Sequence, residues 1–210
     1  GNHDKSRLAQ RLGHNGARAA AVTTLFLPGM RFVYNGEELG LMDADIPEDR
    51  LQDPNGLRDP ERTPIPWDDT QPNSGFSRAA PESLWLPANH ADAHKAVSRQ
   101  EQHDKSSLAL YRAAIRLNHE LEAATGEYVP LHTENDQVLS YGRRSPDGEQ
   151  LIVMTNFSRN KQRGVKVSDS MFVMGQTILS SVTVERESRR VDLRAGVTLE
   201  PDESVVIKPI

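Results

Sequence analysis

Residues 16–36 read GARAAAVTTLFLPGMRFVYNG, and this stretch decides the fold reading. Gly16 to Leu27 carries helix formers with apolar residues at Ala17, Ala20, Ala21, Leu25 and Phe26, and Pro28-Gly29 stops the run. Arg31-Phe32-Val33-Tyr34 follows, four residues rich in β-formers and closed by the turn pair Asn35-Gly36, so a short strand is expected. Helix then strand is the second half of a βαβ unit, which assigns the N-terminal region to the α/β class.

Beyond this unit the character changes twice. From Leu41 to about His103, Pro, Asp, Asn and Gly are dense and periodicity is lost, yet both tryptophans, Trp67 and Trp85, lie there. A loop of that length is functional or disordered, and the tryptophans favour function. Ser106 to Leu121 returns to helix, with Asp104 or Ser106 as N-cap. Its apolar stripe runs along Leu108, Tyr111 and Ile115, beside Leu110, Ala114, Leu117 and Leu121.

After Gly126 come short β-rich runs at 137–141, 151–156, 164–167, 176–181, 191–193, 196–199 and 204–207, with a turn at Ser145-Pro146-Asp147-Gly148. Such spacing predicts an antiparallel sandwich or barrel. The domain boundary is expected near 122–127, dividing 1–123 from 124–210.

Composition narrows the function classes. The 210 residues hold 25 Lys and Arg against 30 Asp and Glu, a net charge of −5, so no basic excess suits phosphate backbones or anionic lipid. Nucleic acid and membrane are therefore not expected as partners, and no long uncharged apolar window is present. The absence of cysteine excludes disulfides and thiolate chemistry and fits a cytoplasmic location. His90-Ala91-Asp92-Ala93-His94 has a metal-like spacing, but Pro87 and Asn89 argue for loop, and no metal or cofactor is assigned.

Three clusters bear chemistry. Asn2-His3-Asp4 sets an imidazole beside a carboxylate where α/β proteins build sites. Arg58-Asp59-Pro60-Glu61-Arg62-Thr63-Pro64 offers two planar guanidinium forks, close to Trp67-Asp68-Asp69. Glu37 and Glu38 after Asn35-Gly36 are read as loop anchors or helix caps. Taken singly, Asp4 could instead pair with Lys5 or Arg7, and the arginines could serve internal ion pairs.

In order, Gly1-Asn-His-Asp-Lys-Ser-Arg7, Leu27-Pro-Gly29, Val33-Tyr-Asn-Gly-Glu-Glu-Leu-Gly40, Leu57-Arg-Asp-Pro-Glu-Arg-Thr-Pro64 with Trp67-Asp-Asp69, Gly75-Phe-Ser77 and Trp85-Leu-Pro87 resemble one family. It is the α-glucosidase branch (maltase and oligo-1,6-glucosidase) of the α-amylase superfamily, glycoside hydrolase family 13. The resemblance covers residues 1–123; the β-rich tail resembles the family's C-terminal domain by position and class.

The resemblance implies the last part of a (β/α)8 barrel followed by a C-terminal antiparallel β-sandwich domain. The barrel pieces would be the end of strand seven, helix seven, strand eight, a long substrate-facing loop and helix eight. A full barrel takes about 250 residues, so an N-terminal barrel part of the same protein is expected upstream of Gly1.

The resemblance also assigns roles. Asp4 becomes the transition-state-stabilising carboxylate and His3 a ligand of sugar hydroxyls, while Arg7 shapes the pocket. Arg58 or Arg62 closes the pocket's non-reducing end. The expected substrate is an α-glucoside oligosaccharide of the maltose or isomaltose type, and the nucleophile Asp and acid Glu belong to earlier strands. Asp43, Asp45, Asp53 and Glu61, all in the long loop, are not read as their substitutes. Alternatives left open are a glucosyl-transferring or isomerising relative of the trehalose synthase or sucrose isomerase type, and a non-catalytic glucosidase-like partner protein.

Overall fold

Helix α1 spans Leu8–Leu25 and starts eight residues before the periodicity predicts. Gly13, at φ 76° and ψ 172°, leaves helical geometry and resets the apolar phase, which hides the earlier turns from a sequence reading. The hydroxyls of Thr23 and Thr24 donate back to the carbonyls of Ala19 and Ala20. The structure, a computed structural model, describes residues 1–54, 58–121, 125–168, 173–184 and 189–210.

The strand expected at Arg31–Tyr34 is not formed: among the described residues no ladder includes it. A β-rich tetrapeptide needs a neighbour to pair with, and Phe32 is instead 80% exposed. Tyr34 is tied to loop partners, its N–H donating to the Glu37 carboxylate at 3.2 Å and its hydroxyl to the Glu61 carbonyl at 3.0 Å.

The long loop is built of single 3₁₀ turns at Glu48–Arg50, Pro60–Arg62, Pro72–Gly75, Pro81–Ser83 and His90–Lys95, followed by the short helix α2, Val97–Gln100. Three of these turns start on proline, whose fixed φ and missing N–H suit a first helical position. Helix α3, Ser107–Glu120, begins where Ser106 Oγ accepts the Ala109 N–H at 3.1 Å, so Ser106 rather than Asp104 is the cap. Its buried residues include Leu108, Leu110, Tyr111, Ala114 and Asn118, while Ile115 faces solvent.

The strands are β1 (Glu127–Pro130), β2 (His132–Thr133), β3 (Val138–Arg144), β4 (Gln150–Asn156), β5 (Gln162–Val165), β6 (Val167–Ser168), β7 (Met174–Ser180), β8 (Arg189–Asp192), β9 (Val197–Leu199) and β10 (Glu203–Pro209). A six-stranded sheet has the order β1-β3-β4-β10-β7-β8, and β2–β6 and β5–β9 form two small ladders, every pairing antiparallel. The run expected at 164–167 is divided between two ladders, and β1 and β2 were not foreseen. The Ser145–Gly148 turn closes the β3–β4 hairpin, Gly148 N–H donating to the Ser145 carbonyl at 3.0 Å.

Two compact units result, one of residues 1–17 with 32–109, the other of 18–31 with 110–210. The boundary expected at 123/124 falls on 122–124, outside the described residues. In the second unit, Ile152, Met154, Val205 and Ile207 alternate along β4 and β10 into one core with Val165, Val167, Val197 and Leu199. The opposite face of the sheet meets the end of α1: Thr155 and Thr23 hydroxyls lie 2.7 Å apart, and Thr155 Oγ1 donates to Ser204 Oγ at 2.8 Å. Burial on both faces explains why β4 is a continuous apolar run rather than an alternating one.

Candidate active site

Asn2 bends the chain by accepting the Asp4 N–H on its side-chain oxygen at 2.9 Å, a local turn typical of Asn. This sets His3 and Asp4 side by side, His3 Nε2 lying 3.5 Å from Asp4 Oδ2. The other oxygen, Asp4 Oδ1, accepts hydrogen bonds from Arg58 Nη1 at 3.0 Å and Arg62 Nη2 at 3.3 Å. Arg62 also donates from Nε to the His3 carbonyl at 2.9 Å. The carboxylate of Asp4 is nevertheless 46% exposed, so a ligand can reach it.

Both arginines converge a second time, on Asp53. Arg58 Nη2 donates to Asp53 Oδ1 at 2.5 Å, and Arg62 Nη1 lies 4.0 Å from the same oxygen. Asp53 is buried, and its own backbone is fixed by Asp59, whose Oδ2 accepts the N–H groups of Gln52 at 2.6 Å and Asp53 at 2.8 Å. A fully buried carboxylate therefore organises the turn that aims the arginines at Asp4.

Charge follows from this geometry. The Arg58 hydrogen bond holds the Asp4 carboxyl below the usual carboxylate range, with His3, Arg58 and Arg62 adding through-space attraction against a desolvation effect of opposite sign. Arg58 is pushed up by its hydrogen bonds to Asp53 and then Asp4. Burial pushes the Tyr34 hydroxyl and the Glu61 carboxyl up.

Of the residues expected at the site, the structure brings together His3, Asp4, Arg58 and Arg62. Arg7 lies in the wall instead: it is buried, donates from Nη1 to the Asn35 carbonyl at 2.7 Å, and sets its guanidinium carbon 5.2 Å from the Tyr34 ring centroid. Its backbone N–H donates to Asp43 at 2.7 Å, and burial pulls its pKa down. Gly36, at φ 94°, lets the Asn35 turn close over Arg7, since a Cβ there would meet Arg7 Nη1 at 2.5 Å. Glu37 and Glu38 anchor the same turn, Glu38 accepting the Gly36 N–H at 2.8 Å.

Asp53 and Asp59 are the site residues that sequence reasoning passed over. The signal available for Asp53 was its spacing, five residues before Arg58, but the same loop also holds Asp43, Asp45, Glu48, Asp49, Asp59 and Glu61, so spacing alone did not single it out. His90 and His94 form no site with the arginines; His94 Nδ1 sits 2.9 Å from the Ala91 carbonyl, within its own 3₁₀ turn.

Residues 1–126 match the sequence family described as Alpha amylase, catalytic domain. Among curated proteins the chain is similar to an alpha-glucosidase of Apis mellifera (30% identity, 77% of this chain and 30% of the relative) and to maltase 1 of Drosophila virilis (32%, 99% and 34%). It is also similar to an oligo-1,6-glucosidase of Heyndrickxia coagulans (28%, 76% and 34%). The chain thus spans about a third of the length of the curated relatives it matches.

Among solved structures it is similar to trehalulose synthase from Pseudomonas mesoacidophila (25% identity, TM-score 0.79, 99% of this chain and 42% of that one). It shares its fold with trehalose-6-phosphate hydrolase from Bacillus licheniformis (22%, TM-score 0.76, 99% and 42%).

Proposed function

Because this chain belongs to the alpha-amylase catalytic-domain family, we propose that it serves a retaining α-glucosidase that hydrolyses terminal α-glucosidic bonds of maltose- or isomaltose-type oligosaccharides. The observation that carries the reading is Asp4, a half-exposed carboxylate kept ionised by two converging guanidinium groups. Cleavage with retention needs a nucleophilic carboxylate and an acid about 5–5.5 Å apart around an oxocarbenium-like transition state. A third carboxylate that stays charged holds the sugar's hydroxyls and opposes the developing positive charge, a preorganised electrostatic contribution. Asp4 fills that role and His3, with an exposed ring beside it, takes a neighbouring hydroxyl.

Asp53 is buried and bound to Arg58, which makes it a scaffold rather than a nucleophile. The nucleophile and acid come from a longer protein, in which residues 1–123 close a (β/α)8 barrel and 124–210 form a β-sandwich. The common core of the six-stranded sheet and the small ladders supports the second assignment.

The test is Asp4→Asn in the full-length protein. Turnover on maltose and isomaltose should fall by about 10²–10³-fold or more with an unchanged circular dichroism spectrum; near wild-type turnover refutes the reading. The likeness to trehalulose synthase favours a second reading, glucosyl transfer or isomerisation. Chromatography of products formed from sucrose separates the two, since hydrolysis releases free glucose and fructose and isomerisation yields a new disaccharide.

A further inference from the structure

Arg62 also borders an open cavity of about 180 Å³, whose wall includes Asn35, Thr63, Phe76, Leu84 and Trp85. Trp85 is 61% and Phe76 49% exposed. Scattered exposed aromatics need no explanation, but these two border one small cavity. Nor are they loosely hung. Leu86, next to Trp85, is buried, and Arg50 Nη2 holds the Leu84 carbonyl at 3.0 Å. Asn73 Nδ2 clamps the carbonyls of Ser77 at 3.0 Å and Ala79 at 2.8 Å, and the segment before Phe76 is bent through positive φ at Asn73 and Ser74. The chain orders two apolar faces toward water beside polar side chains.

The ligand chemistry follows. Arg62 is already committed to Asp4 and the His3 carbonyl, so its charge is compensated and an anion gains little there. A neutral ring with one C–H face and a rim of hydroxyls fits both halves of the wall: aromatic faces for the first, Asn35, Thr63 and the edge of Arg62 for the second. Resting on the α-glucosidase reading, we propose that Trp85, with Phe76, is the platform for the leaving-group sugar and so determines what the cleaved glucose is attached to.

The experiment compares maltose and isomaltose with α-D-glucopyranosyl fluoride, whose leaving group is not a sugar, in the full-length protein. Trp85→Ala and Phe76→Ala should each lower kcat/KM on the disaccharides about tenfold and leave the fluoride unchanged, with Trp85→Phe retaining most disaccharide activity. Equal loss on both substrate classes, or no loss on either, overturns the proposal. A wild-type protein that cleaves neither class refutes the hydrolase reading instead. Titration of indole fluorescence with maltose then decides the platform by itself: a saturable change abolished by Trp85→Phe upholds it, and no such change overturns it.

Discussion

The two compact units are held together by different physics. In the unit of residues 1–17 and 32–109, the apolar cluster is small, Leu39, Leu41, Ile65 and Leu108, and buried polar side chains tie down the loop backbone. Asp59 takes two N–H groups; Asp92 accepts the Met42 N–H at 2.7 Å; Gln100 donates to the Leu39 carbonyl at 2.8 Å and accepts the Leu108 N–H at 3.0 Å. In the unit of 18–31 and 110–210, ladders satisfy the backbone, and among the described residues apolar side chains are buried on both sheet faces, Ile152, Met154, Val205 and Ile207 on one and Val153, Leu179 and Val206 on the other. Directional bonds fix single atoms in place, as a site requires, whereas apolar burial is non-directional and stabilises without aiming anything. The catalytic candidates all lie in the first unit, where placement is bought with polar burial.

Four further substitutions sharpen or break this contrast beside Asp4→Asn, which carries the largest expected effect: activity lost, thermal unfolding unmoved. A shift in Tm comparable with that of a core variant would merge the two kinds of residue. Met154→Ala, in the sheet core, should cost about 2–5 kcal/mol in denaturant unfolding, with kcat kept at temperatures where the protein stays folded. Asp59→Ala leaves the buried Asp53 N–H and the part-buried Gln52 N–H without their acceptor and should cost about 1–3 kcal/mol while also loosening Asp53; if its kcat stays at wild-type, Asp59 does not position the arginines.

Arg58→Ala acts mainly on charge. Asp4's folded pKa is depressed, so its ionised form persists as pH falls until that lowered value is passed. Without Arg58 the carboxyl should titrate at higher pH, nearer the ordinary range, as ¹³C carboxyl NMR would report; an unchanged titration removes Arg58 from the account. Smallest of all, Lys161→Ala breaks the exposed pair with Glu200 and should change stability by less than about 0.5 kcal/mol.

How much could be read beforehand follows the same divide. Helix α3 and strands β3, β4, β7 and β10 were legible because period and turn chemistry are local. His3, Asp4, Arg58 and Arg62 were legible as motifs in order, and the structure sets them within bonding distance. Asp53 was set aside because it lies in an aperiodic loop, where burial is conferred by Asp59 and two arginines rather than by sequence neighbours. Arg7 looked like its motif companions, but its direction is decided by Asn35 and Tyr34, some thirty residues on. The strand at 31–34 failed for the opposite reason: its residues favour extension, yet a ladder is a property of two segments.

The double convergence of Arg58 and Arg62 on Asp4 and Asp53 has a consequence for inhibitor chemistry. Two carboxylates already balance two guanidinium groups, and Asp4 Oδ1 is occupied by both. On the glucosidase reading proposed above, a hydroxyl of a sugar mimic meets Asp4 at the freer Oδ2, which lies 3.5 Å from His3 Nε2, because Oδ1 already accepts from both arginines.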